Sequence, residues 1–227
     1  MSEPAFMEQF GSTLKRLFLL CAFLIVAGLG FSVYLNFQPQ NLDGISGYRP
    51  NDRSEDIIDI PSQIEDAAKT RQPISFDERE INSWLATHLL VKQEGKLADE
   101  VVMKGVWVRF DQAEGGRAEI VIEREIRGMT HTSSLYLRFE RKKKENGSFT
   151  TTVRKDGGRF LGTILIGGRF GQLKVPQGFL LFTQEAYQSL GSLFEREIGF
   201  LEDEIIRKAG GEIIFKDKKM QLNFPQE

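Results

Sequence analysis

Few of the side chains that commonly carry out chemistry occur in this chain of 227 residues. It contains two histidines, His88 and His131, and a single cysteine, Cys21. Neither histidine belongs to an H-E-x-x-H motif, and one cysteine can form neither an intrachain disulfide nor a cysteine-rich zinc site. The sequence therefore does not indicate a metal-dependent hydrolase, and we expect no metal ion and no cofactor. His88 is interpreted as a capping or partly buried side chain, because no ligand set surrounds it.

Covalent and acid–base catalysis are not indicated either. The sequence has no serine in a G-x-S-x-G motif, and Cys21 lies inside an apolar stretch. Two carboxylates could support glycoside hydrolysis, but the 32 acidic residues are spread along the chain without a recognisable pair. We predict that the protein is not an enzyme and has no catalytic residue. A hydrolase with two acids in a polar pocket is the last alternative.

The tetrapeptide GGRF occurs twice, at Gly157–Phe160 and at Gly167–Phe170. Neither copy fits a phosphate-binding loop or a dinucleotide-binding fingerprint. One interpretation is a pair of turns that bracket a strand at Phe160–Ile166, since glycine is a common turn residue. The functional alternative is that Arg159 and Arg169, at the two ends of this strand, contact anionic lipid headgroups.

The overall charge argues against a nucleic-acid partner. The formal net charge is −2, whereas a nucleic-acid-binding surface usually shows a basic excess on one face. The basic run Arg141–Lys144 falls at a predicted hairpin tip. It is either a solvated tip that discourages edge-to-edge aggregation or a contact with an anionic membrane surface.

An uncharged apolar segment, Leu17–Phe37, follows a short tail of residues 1–16. At about 1.5 Å per residue, a helix of this length spans the roughly 30 Å hydrocarbon core of a bilayer. Lys15 and Arg16 precede the segment, whereas Arg49 is the only basic residue in the fifteen that follow it. The positive-inside rule therefore places the tail in the cytoplasm. The sequence predicts a single-pass protein of the cell membrane with an extracytoplasmic C-terminal domain.

The apolar segment has two alternative interpretations, a cleaved signal peptide and a lipoprotein. A cleaved signal peptide would need a small-residue cleavage site near Ala27–Ser32, but no A-x-A triplet occurs there and the apolar run continues through Val33–Leu35. A lipoprotein would need a small residue before Cys21, where Leu20 stands. The sequence favours an uncleaved anchor, with Cys21 as a small apolar side chain.

A linker and a capped helix are predicted after the anchor. Residues 38–60 are rich in Asn, Asp, Gly, Pro and Ser, which is typical of a flexible linker. The extracytoplasmic domain is assigned to residues 61–227. Ser75 and Glu78 fit a capping box, and apolar residues follow at three- and four-residue steps, so the pattern predicts an amphipathic helix over Phe76–Leu90.

From residue 102 the apolar period changes from helical to alternating. The alternation predicts an antiparallel meander of four or five strands with one buried face. A long amphipathic helix, Phe182–Ala209, ends at Gly210–Gly211. A closing hairpin of Glu212–Phe215 and Met220–Phe224 follows it. Helices segregated from an antiparallel sheet indicate an α+β domain.

The stretch Phe160–Phe182 is strongly apolar and almost free of acids. It is either a core strand with its packing loop or the wall of a hydrophobic ligand groove. A groove needs apolar side chains that the protein itself does not cover, which a sequence pattern cannot show.

Two stretches resemble a known family. Ser75–Leu85 reads SFDEREINSWL, and Gly171–Pro176 reads GQLKVP before an apolar turn and a long helix. Together with the anchor, they resemble membrane-anchored bacterial extracytoplasmic proteins of the tubular lipid-binding (TULIP-like) type. The resemblance implies a curved antiparallel sheet that wraps the helix Phe182–Ala209 and leaves a groove for acyl chains. The residues implied as groove candidates are Leu165, Phe170, Val175 and Phe179.

These observations predict a single-pass membrane-anchored binding protein for lipid or another apolar ligand. The expected partners are the membrane, through Leu17–Phe37, and a lipid or an envelope protein. The alternative is a structural or adaptor protein that docks a partner in a cell-envelope complex.

Overall fold

The computed structural model describes residues 3–56, 58–88, 100–111, 117–143, 149–155, 167–175 and 211–224. Three α-helices occur in this part of the chain: α1 (Glu3–Phe37), α2 (Ile60–Thr70) and α3 (Glu78–His88). The strands form two antiparallel sheets, which with the helices make an α+β architecture. The predicted fold class is confirmed at this level.

Helix α1 is long and apolar enough to cross a membrane from Thr13 to Phe37. Its apolar side chains are exposed along this length; Phe18, for example, is 72% exposed. An isolated helix with this many exposed apolar side chains is stable only where something other than water surrounds it. The helix ends at Phe37, where the sequence predicts the end of the anchor.

The larger sheet contains six strands in the order β2-β3-β4-β6-β7, with β5 paired to the second half of β4. The bounds of the strands are β2 (Val101–Asp111), β3 (Arg117–Ile126), β4 (Met129–Lys143), β5 (Phe149–Lys155), β6 (Gly168–Phe170) and β7 (Leu173–Val175). Strands β2 to β5 follow one another as antiparallel neighbours. The predicted meander is therefore present.

The smaller sheet has the order β1-β9-β8, with strands β1 (Ile74–Asp77), β8 (Glu212–Lys216) and β9 (Lys219–Asn223). Strands β8 and β9 form the predicted closing hairpin. Helix α2 packs Ile64 and Ala67 against this sheet and against Phe110 at one end of the larger sheet. The two sheets and α2 thus share one apolar core.

Both faces of the larger sheet are buried, so the prediction of one buried face is wrong. We call one side the apolar face; it carries Val106, Ile122, Leu135, Phe170 and Val175. We call the other side the polar face; it carries Trp107, Arg109, Glu119, Val121, Ser134, Tyr136 and Arg169. The polar face is covered by residues 38–56, and this chain segment is named the strap.

The strap is the second departure from prediction, because this part of the predicted flexible linker is packed on the sheet. Leu42 and Ile45 are buried against Trp107 and Val121. The ring of Tyr48 meets the Trp107 ring edge-on at a centroid distance of 5.1 Å. The strap is mostly polar, but Leu42, Ile45 and Tyr48 recur in it at every third position. These three side chains pack the strap against the sheet.

Helix α3 begins later than predicted, and its cap uses different residues. Ser75 lies within β1, so it cannot cap the helix. The observed capping box joins Asp77 and Glu80: the Glu80 amide donates to Asp77 Oδ1 at 2.8 Å, and the Asp77 amide donates to Glu80 Oε2 at 2.7 Å. The S-F-D-E-R-E sequence offers the same box in two registers, and pairing of β1 with β9 selects the later one.

The predicted strand Phe160–Ile166 and the predicted helix Phe182–Ala209 lie outside the described residues, and the side chains of the basic run Arg141–Lys144 lie outside those described. The candidates Arg159, Leu165 and Phe179 also lie outside the described residues.

Candidate functional site at the junction of helix and sheet

The end of α1 is joined directly to the turn between β6 and β7. The amide of Gln172 donates to the carbonyl oxygen of Leu35 at 3.0 Å, and the Gln38 amide donates to the same oxygen at 3.3 Å. Leu35 lies in the last turn of the helix, where carbonyl groups lack a partner within the helix. The neighbouring Gly171 amide donates to the Thr132 carbonyl of β4 at 2.8 Å. The turn therefore links the apolar helix to the middle of the larger sheet.

Gly171 is required at this turn for two reasons. Its φ is +54°, a left-handed conformation that side-chain-bearing residues rarely adopt. A Cβ atom at this position would also overlap the backbone carbonyl oxygens of Leu35, Asn36 and Gln38. The helix end can approach the sheet this closely because position 171 lacks a side chain.

The chain that leaves the helix is held by β4. The ring of Phe37, the last helical residue, meets the His131 ring edge-on at a centroid distance of 5.3 Å. The Gln40 amide donates to Thr132 Oγ1 at 2.8 Å, and the Gln40 side chain donates to Ser134 Oγ at 3.3 Å. Gln40 is buried, so these hydrogen bonds are shielded from water.

Next to Gln40 lies an ionic group with a buried carboxylate, the Glu119 cluster, made of Arg109, Glu119, Ser134, Tyr136 and Arg169. Glu119 Oε2 accepts from Arg109 Nε at 2.9 Å and from Arg109 Nη2 at 2.6 Å. Its other oxygen, Oε1, accepts from Ser134 Oγ at 2.6 Å and lies 3.5 Å from Arg169 Nε. Glu119 is only 2% exposed. A carboxylate so deeply buried needs several charge-assisted hydrogen bonds, which Arg109 and Ser134 provide, and Arg169 adds a second positive charge beside it.

Tyr136 completes the cluster. Its hydroxyl oxygen accepts a hydrogen bond from Arg169 Nε at 3.0 Å, and the Arg117 guanidinium lies 4.2 Å from the centre of its ring. Burial, and then the negative charge of Glu119, raise the pKa of Tyr136 above its ordinary value. Burial alone would lower the pKa of Arg169, but its hydrogen bond to Tyr136 and the charge of Glu119 outweigh this effect and raise it.

The geometry of the Glu119 cluster is that of a clamp between strands. Ser134 donates to a carboxylate, as an activated nucleophile would, but it is fully buried. Both oxygens of Glu119 are already committed to donors on β2, β4 and β6. The cluster joins three strands on the polar face and, through Gln40, attaches the strap to them. Among the described residues, no group of three His, Cys, Asp or Glu side chains could hold a metal ion.

A second set of buried polar groups attaches helix α3 to the outer edge of β2. Asn82, which is fully buried, donates to the carbonyl oxygens of Ser46 and Val108 and accepts from the Val108 amide, all within 2.8 Å. Glu78 accepts from the amides of Ser46 and Phe110. These side chains satisfy backbone groups that an edge strand would otherwise expose.

The structure brings two of the four groove candidates together. Phe170 and Val175 belong to one apolar cluster with Leu135 and Leu173 on the apolar face. Val175 is buried, whereas Phe170 and Leu173 keep part of their surface exposed. These two half-buried side chains flank the Gly171–Gln172 turn, so the apolar face reaches the end of α1.

Arg169 and His88 lie away from this apolar cluster. Arg169, a predicted headgroup contact, lies half-buried on the polar face and directs its Nε atom to Tyr136 and Glu119. His88 is the last residue of α3, where its Nδ1 atom lies 2.9 Å from the Trp84 carbonyl and its ring stacks on Trp84. This position fits its interpretation as a capping side chain.

Comparison of the chain with family profiles, with curated proteins and with solved structures returns no match.

Glu119 and Gln40 were missed in the sequence, where they looked like an outward-facing strand residue and a linker residue. What marks Glu119 is the strand register, which pairs Arg109 with Glu119 and Glu119 with Tyr136 in one row across three strands.

Proposed function

We propose that the protein is a single-pass membrane-anchored binding protein whose domain sits on the bilayer surface and binds a lipid or another apolar molecule. The observation that carries this proposal is the course of the apolar face. It runs from buried Leu135 and Val175 to half-buried Phe170 and Leu173, and these flank the turn that holds the end of α1. An acyl chain leaving the bilayer would meet this end of the face first.

The mode of attachment supports the proposal. The contact between Gln172 and Leu35, with the Gln40 contacts to β4, sets the domain at a defined position beside the anchor. A domain on a flexible linker would sample many orientations, whereas a docked one presents the same surface to the lipid at all times. Lys15 and Arg16 favour a cytoplasmic N-terminus, so the binding domain is proposed to face the extracytoplasmic side.

Native mass spectrometry of the full chain released from detergent micelles tests the proposal. We expect lipid adducts that survive detergent removal and that decrease in Phe170→Ser. Lys174→Ser is the matched control, because Lys174 lies on neighbouring β7 with an exposed side chain on the opposite face. The proposal fails if the wild-type chain carries no lipid, or if both variants and the wild type carry the same amount.

The adaptor function gives a different result in the same experiment. In an adaptor, the protein's own side chains would fill the space beside the apolar face, so the purified chain would retain no lipid. Its partner would be an envelope protein. The two functions are therefore separated by whether the purified chain keeps lipid through Phe170.

A further inference from the structure

The turn between β3 and β4 is an exposed hairpin tip at the same end of the sheet as the anchor. Arg127 and Gly128 both have positive φ angles, of 50° and 78°, as in a two-residue hairpin turn. Ile126 pairs with Met129 directly behind them. Residues 127–130 are all exposed, and Met129 keeps 56% of its surface.

The tip lies close to the level at which the apolar helix ends. His131, whose ring contacts Phe37, follows Met129 by two residues. Two residues of a strand cover about 7 Å. Because α1 ends at Phe37, the tip is held near the surface of whatever membrane contains α1.

In the described part of the domain, the exposed large apolar side chains occur at this end of the sheet. Beyond α1, the large hydrophobic residues that are exposed in the described part of the chain are Val102 and Met129. They lie at the same end of the sheet, on β2 and β4 and on opposite faces, since Val102 pairs with Glu125 and Met129 pairs with the next residue of β3, Ile126. Singly exposed apolar residues are common on protein surfaces, but their position on both faces of the sheet end nearest the apolar helix end points to an apolar environment around that end.

The charged residues around the tip suit the headgroup layer of a bilayer better than its hydrocarbon core. Arg127 forms an ion pair with Glu100 at 2.9 Å, and Lys104 forms one with Glu125 at 2.6 Å. Arginine and lysine can place their charged ends among headgroups while their stems lie on apolar surface. Because acids balance these bases, attraction to anionic lipid is not required.

We propose that the β3–β4 hairpin tip, with Val102 beside it, rests in the headgroup layer of the phospholipid bilayer that holds α1. The domain would then touch the membrane at two places, the helix end and the hairpin tip. Two contacts fix the tilt of the sheet as well as its distance from the bilayer.

Site-specific fluorescence of the full chain in phosphatidylcholine nanodiscs tests this contact. Cys21→Ala removes the native thiol, and Met129→Cys or Val102→Cys then carries an environment-sensitive dye. Lys69→Cys is the control, because α2 packs at the Phe110–Ala118 end of the sheet, about 26 Å from the tip along β3. The Lys69 side chain is exposed there.

We expect the dye at position 129 or 102 to show blue-shifted emission and to be quenched by spin-labelled lipid, with neither effect at position 69. Water-like emission at both tip positions, or equal quenching at all three, would overturn the proposal. This result is independent of lipid bound in a groove, because the dye reports the tip and native mass spectrometry reports ligand retained after the bilayer is removed.

Discussion

The backbone amide of Gln172 donates to the carbonyl oxygen of Leu35 across 3.0 Å, although the two residues are 137 positions apart. This hydrogen bond joins the apolar helix to the β6–β7 turn. It occurs where helix carbonyl groups have no partner within the helix. The domain is therefore attached to its anchor by tertiary contacts as well as by the chain.

Gly171→Ala tests the close approach at the turn. We expect it to lower the free energy of unfolding by about 2–3 kcal/mol, because it combines an unfavourable φ with overlap against three backbone oxygens. Gly128→Ala is the matched control, since its φ is +78° but nothing lies within 4 Å of an added Cβ. It should cost about 1 kcal/mol. Equal losses in urea unfolding of the two variants would show that the contact with the helix end is unimportant.

Glu119→Gln tests the Glu119 cluster. Glutamine keeps the shape but places an uncharged amide between two guanidinium groups, so we expect a loss of about 2 kcal/mol or more in unfolding free energy. Glu125→Gln removes an exposed partner of Lys104 and should change stability by less than about 0.5 kcal/mol. The role of the cluster as a clamp is contradicted if the two variants unfold alike.

Asn82→Ala tests the attachment of α3 to β2. It leaves the Val108 amide and two carbonyl oxygens without their partner in a fully buried site, so we expect a loss of about 3 kcal/mol. Asn41→Ala is the control: Asn41 is exposed and accepts one local hydrogen bond, so its loss should stay below about 1 kcal/mol. Thermal unfolding followed by tryptophan fluorescence measures both.

Tyr136→Phe tests the alkaline behaviour of the fold. The folded-state pKa of Tyr136 is raised by burial and by Glu119, above an unfolded value of about 10. Its contribution to stability is therefore complete below about pH 10 and is lost as pH rises through the folded-state pKa. We expect the unfolding free energy of the wild type to fall above about pH 10, and to fall less steeply in Tyr136→Phe. Tyr48, whose pKa is raised by burial and Glu123, accounts for part of the remaining slope. Parallel pH profiles would contradict this assignment.

Local patterns in the sequence predicted the helix end at Phe37, the meander and the closing hairpin. Each of these features depends on apolar residues that recur at one spacing, helical or alternating. That spacing is visible in a short stretch of sequence. The strap was missed because Leu42, Ile45 and Tyr48 are surrounded by turn-forming residues. The Glu119 cluster was missed because a strand pattern gives the side of the sheet but not what covers it. Its partners come from β2, β4 and β6, and such long-range pairings depend on register.

Photo-cross-linking in nanodiscs tests the central claim most directly. The full chain would be reconstituted with a phospholipid that carries a photoactivatable group at the end of an acyl chain, and the adducts would be located by peptide mass spectrometry. Lipid binding by the apolar face predicts adducts at Phe170 or Leu173, the half-buried side chains of that face. Adducts confined to residues 13–37 and the hairpin tip would contradict it, and would leave a membrane-seated domain that binds no lipid.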